Sequence, residues 1–137
     1  MLMEVPEVGL QEDAALVRSG YEAFSAGDMD TLQGLFTEDA VWHSGGSGRM
    51  AGTKQGRGAI MAFFGELYSL SDGTVRVNLE DVVAGENHTV GIQRNHAERN
   101  GTTLDQRAVV VFTLTAGKVS EVHEFLEDTA KADDFWS

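Results

Sequence analysis

Three groups of residues in this chain have types and spacings suited to chemistry. His43 closes a short apolar run, "AVWH". An imidazole titrates near about pH 6.5, so His43 is a candidate proton shuttle. Asp105 and Arg107 stand two apart in "TTLDQRAVVVFTLT", which places both on one face of a strand. There they are candidates for polarising a substrate or for a sheet-surface ion pair. Glu124 lies in "KVSEVHEFLED" with Val122 and Leu126 at the same alternation. A carboxyl among apolar neighbours is harder to ionise, and that moves its pKa toward general acid–base use. His96 and His123 also fall on strand-like segments, but none of the four histidines shows H-x-H or H-x3-H spacing, so no metal site is expected. The absence of cysteine removes thiolate nucleophiles and disulfides, which fits a reducing compartment.

A further stretch, "SGGSGRMAGTKQG", follows His43 and contains a formal G-x-G-x-x-A at Gly46, Gly48 and Ala51. A dinucleotide fingerprint needs a helix opening within it and a βαβ unit around it. Here the next helix begins near Arg57 and the later strands read as antiparallel. Lys54 follows Thr53 rather than a glycine, so the phosphate-loop pattern fails as well. No nucleotide and no other cofactor is expected, and the stretch reads as a flexible lip over a pocket or a connection.

The elements that must position these residues follow from periodicity. Ala14, Val17, Tyr21 and Phe24 form one apolar stripe of a helix over 11–26, closed by Gly27. Asp28 caps a second short helix carrying Leu32, Leu35 and Phe36. "TED" breaks it, and 40–43 reads as a strand. A third helix over 59–70 buries Ile60, Phe63, Phe64 and Leu67. The later half alternates apolar and polar residues, with turn signals at Asn100–Gly101 and Ala116–Gly117. It is an antiparallel meander of about four strands, and helices followed by such a sheet make an α+β arrangement. No repeat or linker divides the chain, so residues 1–137 read as one domain, with a core of about 11–128 and a tail at 129–137. Phe135 and Trp136 anchor that tail on the body or on a second copy.

With 22 acidic against 10 basic residues the net charge is −12, which repels phosphate backbones and anionic lipid. Nucleic-acid and membrane partners are therefore not expected. "MLMEVPEVGLQEDAA" has no basic segment followed by an apolar run, so a secretory leader is not expected and a cytoplasmic location is.

"YEAFSAGDMDTLQGLFTEDAVWH", "GRGAIMAFF" and "VVVFTLTAGKVSEVHEF" together resemble the nuclear transport factor 2-like superfamily, in its SnoaL-like and ketosteroid-isomerase-like branch. The resemblance runs from about Gln11 to Asp128. It implies a cone-shaped α+β fold, three N-terminal helices packed on a curled antiparallel sheet, with an apolar pocket between the first helix and the concave face. It also implies a homodimer formed through the outer face. Tyr21, Trp42, Ser44, Phe63 and Phe64 are the implied ligand-contacting residues, joined by Val122 and Leu126 if "TAGKV" sets the register of the last strand.

The superfamily's steroid isomerases use an aspartate base and an oxyanion hole of a tyrosine and a neutral aspartic acid. Alignment puts Ser44 at the base, Gly20 at the tyrosine (Tyr21 is next to it) and Ala108 or Val109 at the acid. That reaction is not expected. The epoxide-hydrolase relatives use two aspartates and an arginine, for which Asp105, Arg107 and Glu124 are the available groups, although Asp-x-Arg reverses the family's order. The polyketide-cyclase relatives place an acid on the last strand, and Glu124 matches it. The reading that results is a cofactor-independent cyclase or isomerase acting on a small apolar carbonyl compound. Glu124 and His43 would move protons, and Arg107 with Asp105, or Ser44, would orient the substrate. The alternatives are a non-catalytic ligand-binding or dimeric interaction module and an epoxide-hydrolase-like enzyme.

Overall fold

A computed structural model describes residues 7–137. The segment before residue 7, on which part of the leader expectation rests, lies outside the described residues. Helix α1 runs Glu7–Ala26 and buries Val17, Ala23 and Phe24. Gly27, at φ 70°, turns the chain, and the backbone N–H of Asp28 returns to the Ala23 carbonyl at 2.9 Å. Asp28 then caps α2 (Met29–Gly34), accepting from the Thr31 amide at 3.2 Å and hydroxyl at 2.6 Å.

Phe36 leaves the helix that its spacing suggests and opens β1 (Phe36–Ser44). It does so because it pairs with Val119 on the last strand, and sheet pairing overrides a short local preference. "TED" is therefore not a break. It is the irregular part of β1, where the register shifts between Phe36 and Val41. The Gly-rich stretch contains a short strand, β2 (Gly52–Gln55), which pairs antiparallel with β1 so that Trp42 faces Lys54. Helix α3 (Arg57–Leu70) buries Ile60, Phe63 and Phe64 as its periodicity predicts.

The meander follows as β3 (Arg76–Ala84), β4 (Thr89–Arg99), β5 (Thr102–Thr115) and β6 (Lys118–Leu126). Asn100 and Gly101 both take positive φ, 52° and 77°, as a tight two-residue hairpin turn requires. The strand order is β2-β1-β6-β5-β4-β3, with only the β1–β6 pair parallel. This curled, unclosed sheet packs α1 against β3 and α3 against β1, leaving a cavity on its concave side. A fourth helix, α4 (Thr129–Trp136), adds to the three expected and buries Ala132, Phe135 and Trp136. Among the described residues no helix is long and apolar enough to cross a membrane.

Helix α4 also pins the Gly-rich loop. The Asp133 carboxylate accepts from the Ser47 amide at 2.8 Å. A Cβ at Gly46 would lie 2.5 Å from Asp133 Oδ1, so the loop approaches this carboxylate as only glycine allows.

Candidate functional site

Alternation along β6 sends Val122, Glu124 and Leu126 to the concave side and Glu121, His123 and Phe125 to the convex side. Two cavities occupy the concave side. The first, between α1, α3 and the sheet, is walled by Val17, Tyr21, Phe24, Trp42, Phe63 and Phe64 among others. The second, under α4, is lined by Ser44, Met50, Asn95, Gln106, Leu126 and Trp136 among others. Phe63, Leu67, Val77, Gln93 and Glu124 belong to both walls. Glu124 thus stands at the partition, and the surface it retains faces cavity rather than bulk solvent.

The parallel β1–β6 pairing sets Ser44 directly beside Glu124, 80 residues later in the chain. The Ser44 hydroxyl donates to Glu124 Oε1 at 3.1 Å and accepts from the Trp42 indole N–H at 3.0 Å. Burial pushes the Glu124 carboxyl above its ordinary value, and the Ser44 hydrogen bond, the Lys54 charge and the Trp42 indole only partly oppose this. Lys54, opposite Trp42 on β2, places its ammonium 4.2 Å from the centre of the Phe63 ring and donates to the Met50 carbonyl at 2.6 Å. Burial lowers its pKa, against the pull of Glu124 and Glu66.

Tyr21 reaches into the first cavity from α1. Its hydroxyl donates to Gln93 Oε1 at 2.5 Å, and Gln93 Nε2 in turn donates to Asn95 Oδ1 at 2.6 Å. Burial, with the Glu124 charge adding to it, raises the phenol's pKa, so it stays a neutral donor. Gly91 makes room for it, since a Cβ there would lie 2.6 Å from the Tyr21 hydroxyl oxygen. In the second cavity Gln106 is 2% exposed. Its Oε1 accepts from the Asp128 amide at 2.7 Å, while its Nε2 has no partner.

The structure thus brings Tyr21, Trp42, Phe63, Phe64 and Glu124 to the first cavity and Ser44, Phe63, Leu126 and Glu124 to the second. It corrects the placement of four other expected residues. Val122 is 0% exposed and packs in the core rather than lining a cavity. His43 lies between the inward Trp42 and Ser44, so it projects from the convex face, with Nε2 3.0 Å from Glu121 and Nδ1 3.2 Å from the Thr53 hydroxyl. Asp105 and Arg107 flank the inward Gln106 and also face outward. There Asp105 pairs with Arg94 at 2.5 Å and with His96 at 3.6 Å, and Arg107 pairs with Glu80 at 2.9 Å. The expected grouping of Glu124 with His43, Arg107 and Asp105 does not form, because the sheet lies between them.

Sequence reasoning missed Gln93, Asn95 and Gln106, which line these cavities, and Lys54 and Gly91, which stand against the lining residues Phe63 and Tyr21. Gly91, Gln93, Asn95 and Ala97 do alternate in "GIQRNHAE", the one signal that marks a shared inward face. Chemically, the arrangement is a carboxyl reluctant to ionise, an apolar wall on either side and a neutral phenol in the same cavity. It is suited to taking a proton from carbon and returning it.

The family model of the SnoaL-like domain matches residues 17–122. The uncharacterized protein Rv0034 of Mycobacterium tuberculosis (strain ATCC 25618 / H37Rv) is 32% identical over 126 residues, covering 91% of this chain and 96% of that one. The structure of Bal32a, from a soil-derived mobile gene cassette, superposes with a TM-score of 0.91 at 40% identity, covering 93% of this chain and 98% of the other. TerC, co-crystallised with polyporic acid, shares the fold at a TM-score of 0.79 and 18% identity, covering 91% and 98%.

Proposed function

Since this chain belongs to the SnoaL-like domain family, we propose that it is an enzyme moving a proton beside the carbonyl of a small, largely apolar compound, without a cofactor. The observation that carries this is Glu124, a half-buried, cavity-lining carboxyl of raised pKa at the partition of two cavities. Glu124 as carboxylate takes a proton from the carbon next to the carbonyl. The C–H electron pair becomes the new C=C bond, and the carbonyl π pair moves to oxygen. Tyr21, neutral and in the same cavity, donates a hydrogen bond to that developing oxyanion in exchange for Gln93. Where a C=C adjoins the enolate, its far carbon regains the proton from Glu124, as in an isomerase; otherwise the enolate carbon attacks a second carbonyl carbon, whose π pair moves to oxygen and takes the proton from Glu124, as in a cyclase. The steroid-isomerase base position is Ser44, whose hydroxyl here serves Glu124 instead. That supports a different carboxylate as base. TerC, a protein of this fold, was crystallised with an organic molecule, and this supports an organic ligand.

Proton–deuterium exchange at the α-carbon of small apolar ketones, followed by NMR in D2O, tests the proposal without knowledge of the natural substrate. The protein should accelerate exchange, and Glu124→Gln should slow it by roughly 10²- to 10⁴-fold. Exchange that is absent, or equally fast in the variant, overturns it. A second reading, a carrier that holds such a ligand without turnover, is favoured by the vacant isomerase base position. It predicts ligand affinity with no exchange in either protein.

We infer also that the convex face pairs two copies of the chain. Val83, Val109 and Phe125 are 54%, 40% and 58% exposed there, an apolar patch that self-association would cover. Light scattering should give twice the chain mass, and Phe125→Glu should return it to the monomer mass. A monomer in the unmodified protein refutes this.

A further inference from the structure

We propose that His43, Glu121 and His123 form a binding site for a divalent transition-metal ion on the convex face of the sheet, apart from the Glu124 cleft. The parallel β1–β6 register sets His43 directly opposite His123, and Glu121 precedes His123 by two residues on the same face. Glu121 Oε2 lies 3.0 Å from His43 Nε2 and 3.6 Å from His123 Nε2, and the three donor atoms all fall within 4.8 Å of one another. Donors bound tetrahedrally at the usual zinc distances stand about 3.3 Å apart. Two of the separations already bracket that figure. Small rotations of these partly exposed side chains bring the third within range.

Three further features favour a metal over an incidental ion pair. His43 Nδ1 lies 3.2 Å from the Thr53 hydroxyl. With an ion bound, that oxygen can accept a hydrogen bond from Nδ1–H, holding the tautomer whose Nε2, released from the Glu121 carboxylate, ligates the metal. The two imidazoles stack with centroids 4.3 Å apart and planes 14° from parallel, so both rings already lie side by side within reach of Glu121. Two imidazoles and one carboxylate suit zinc, nickel, cobalt or copper rather than calcium or magnesium. Three protein ligands also leave a position open to water. The strongly negative chain adds a general attraction for cations.

The test uses the full chain without an affinity tag, treated with chelator and titrated separately with cobalt(II) and zinc(II). Cobalt is followed by its visible absorption and zinc by calorimetry. One ion per chain should bind at micromolar concentration, on the order of 10⁻⁶ to 10⁻⁵ M. His123→Ala and Glu121→Gln should each weaken binding at least about tenfold, and Thr53→Val about tenfold through its effect on His43. His96→Ala and Glu80→Gln, also on the convex face, should bind as the unmodified chain does. Circular dichroism reports whether each variant keeps its fold. Lack of saturable uptake below about 10⁻⁴ M, or uptake unchanged in both His123→Ala and Glu121→Gln, overturns the proposal.

Discussion

Replacing Glu124 by glutamine separates the charge of this side chain from its shape. Burial raises the carboxyl's pKa in the folded chain above the ordinary 4.5, so the folded state keeps its proton to higher pH than the unfolded state does. Between those two pKa values the folded chain binds more protons, and its stability falls as pH rises. For one group the slope reaches at most about 1.4 kcal/mol per pH unit. Well below pH 4.5 the carboxyl is neutral in both states and carries no penalty. Above the folded pKa the penalty is complete, at about 1.4 kcal/mol for each unit of separation. Glutamine has no proton to lose and can still accept from Ser44 through its amide oxygen. Its extra N–H adds an offset that does not vary with pH. The stability difference, variant minus unmodified protein, should therefore be flat in acid and move in favour of Glu124→Gln as pH rises from about 4.5. Each 1 kcal/mol gained corresponds to roughly 3–6 °C in Tm for a chain of this size. Urea unfolding of both proteins at several values between pH 4 and pH 8 measures the difference. A difference independent of pH, or one that moves against the variant as pH rises, refutes the raised pKa and with it the physical basis for Glu124 as acid and base.

Four further substitutions probe the same cleft and its surroundings. Tyr21→Phe strands the buried acceptor of Gln93 and should cost about 1–3 kcal/mol in thermal unfolding; an unchanged Tm speaks against that bond. Gly91→Ala drives a Cβ into the phenol and should destabilise by about 1–3 kcal/mol, and most of that loss should vanish in a Tyr21→Ala background if the clash is the cause. Lys54→Met removes the positive charge that restrains Glu124, so the pH window over which stability falls should extend upward, and a downward move contradicts the assignment. Arg107→Ala breaks only an outward ion pair with Glu80 and should leave exchange activity within about twofold, whereas a loss of tenfold or more would return Arg107 to the site.

Much of this molecule is legible locally. The stripe Val17, Tyr21, Phe24 determines that α1 exists and which side it buries, because a helix repeats every 3.6 residues. Asn100–Gly101 and Ala116–Gly117 determine two hairpins, because tight turns need positive φ and both pairs adopt it. Alternation in β6 determines that Glu124 and His123 face opposite ways. Which of them faces the cavity is settled only by the sheet's curl around α1 and α3. The same alternation, applied to β1 and β5, carries His43, Asp105 and Arg107 to the convex side once Trp42, Ser44 and Gln106 are known to point inward. What only the tertiary structure decides is pairing between distant segments. The parallel β1–β6 contact draws Phe36 out of a helix and joins Ser44 to Glu124. It also sets His43 beside His123 and Glu121, although no ligand spacing along the chain marks them. Periodicity and turn chemistry act over a few residues and leave a mark in the sequence there. The choice of neighbouring strand is made by how all the apolar faces are covered at once, and no short stretch records it.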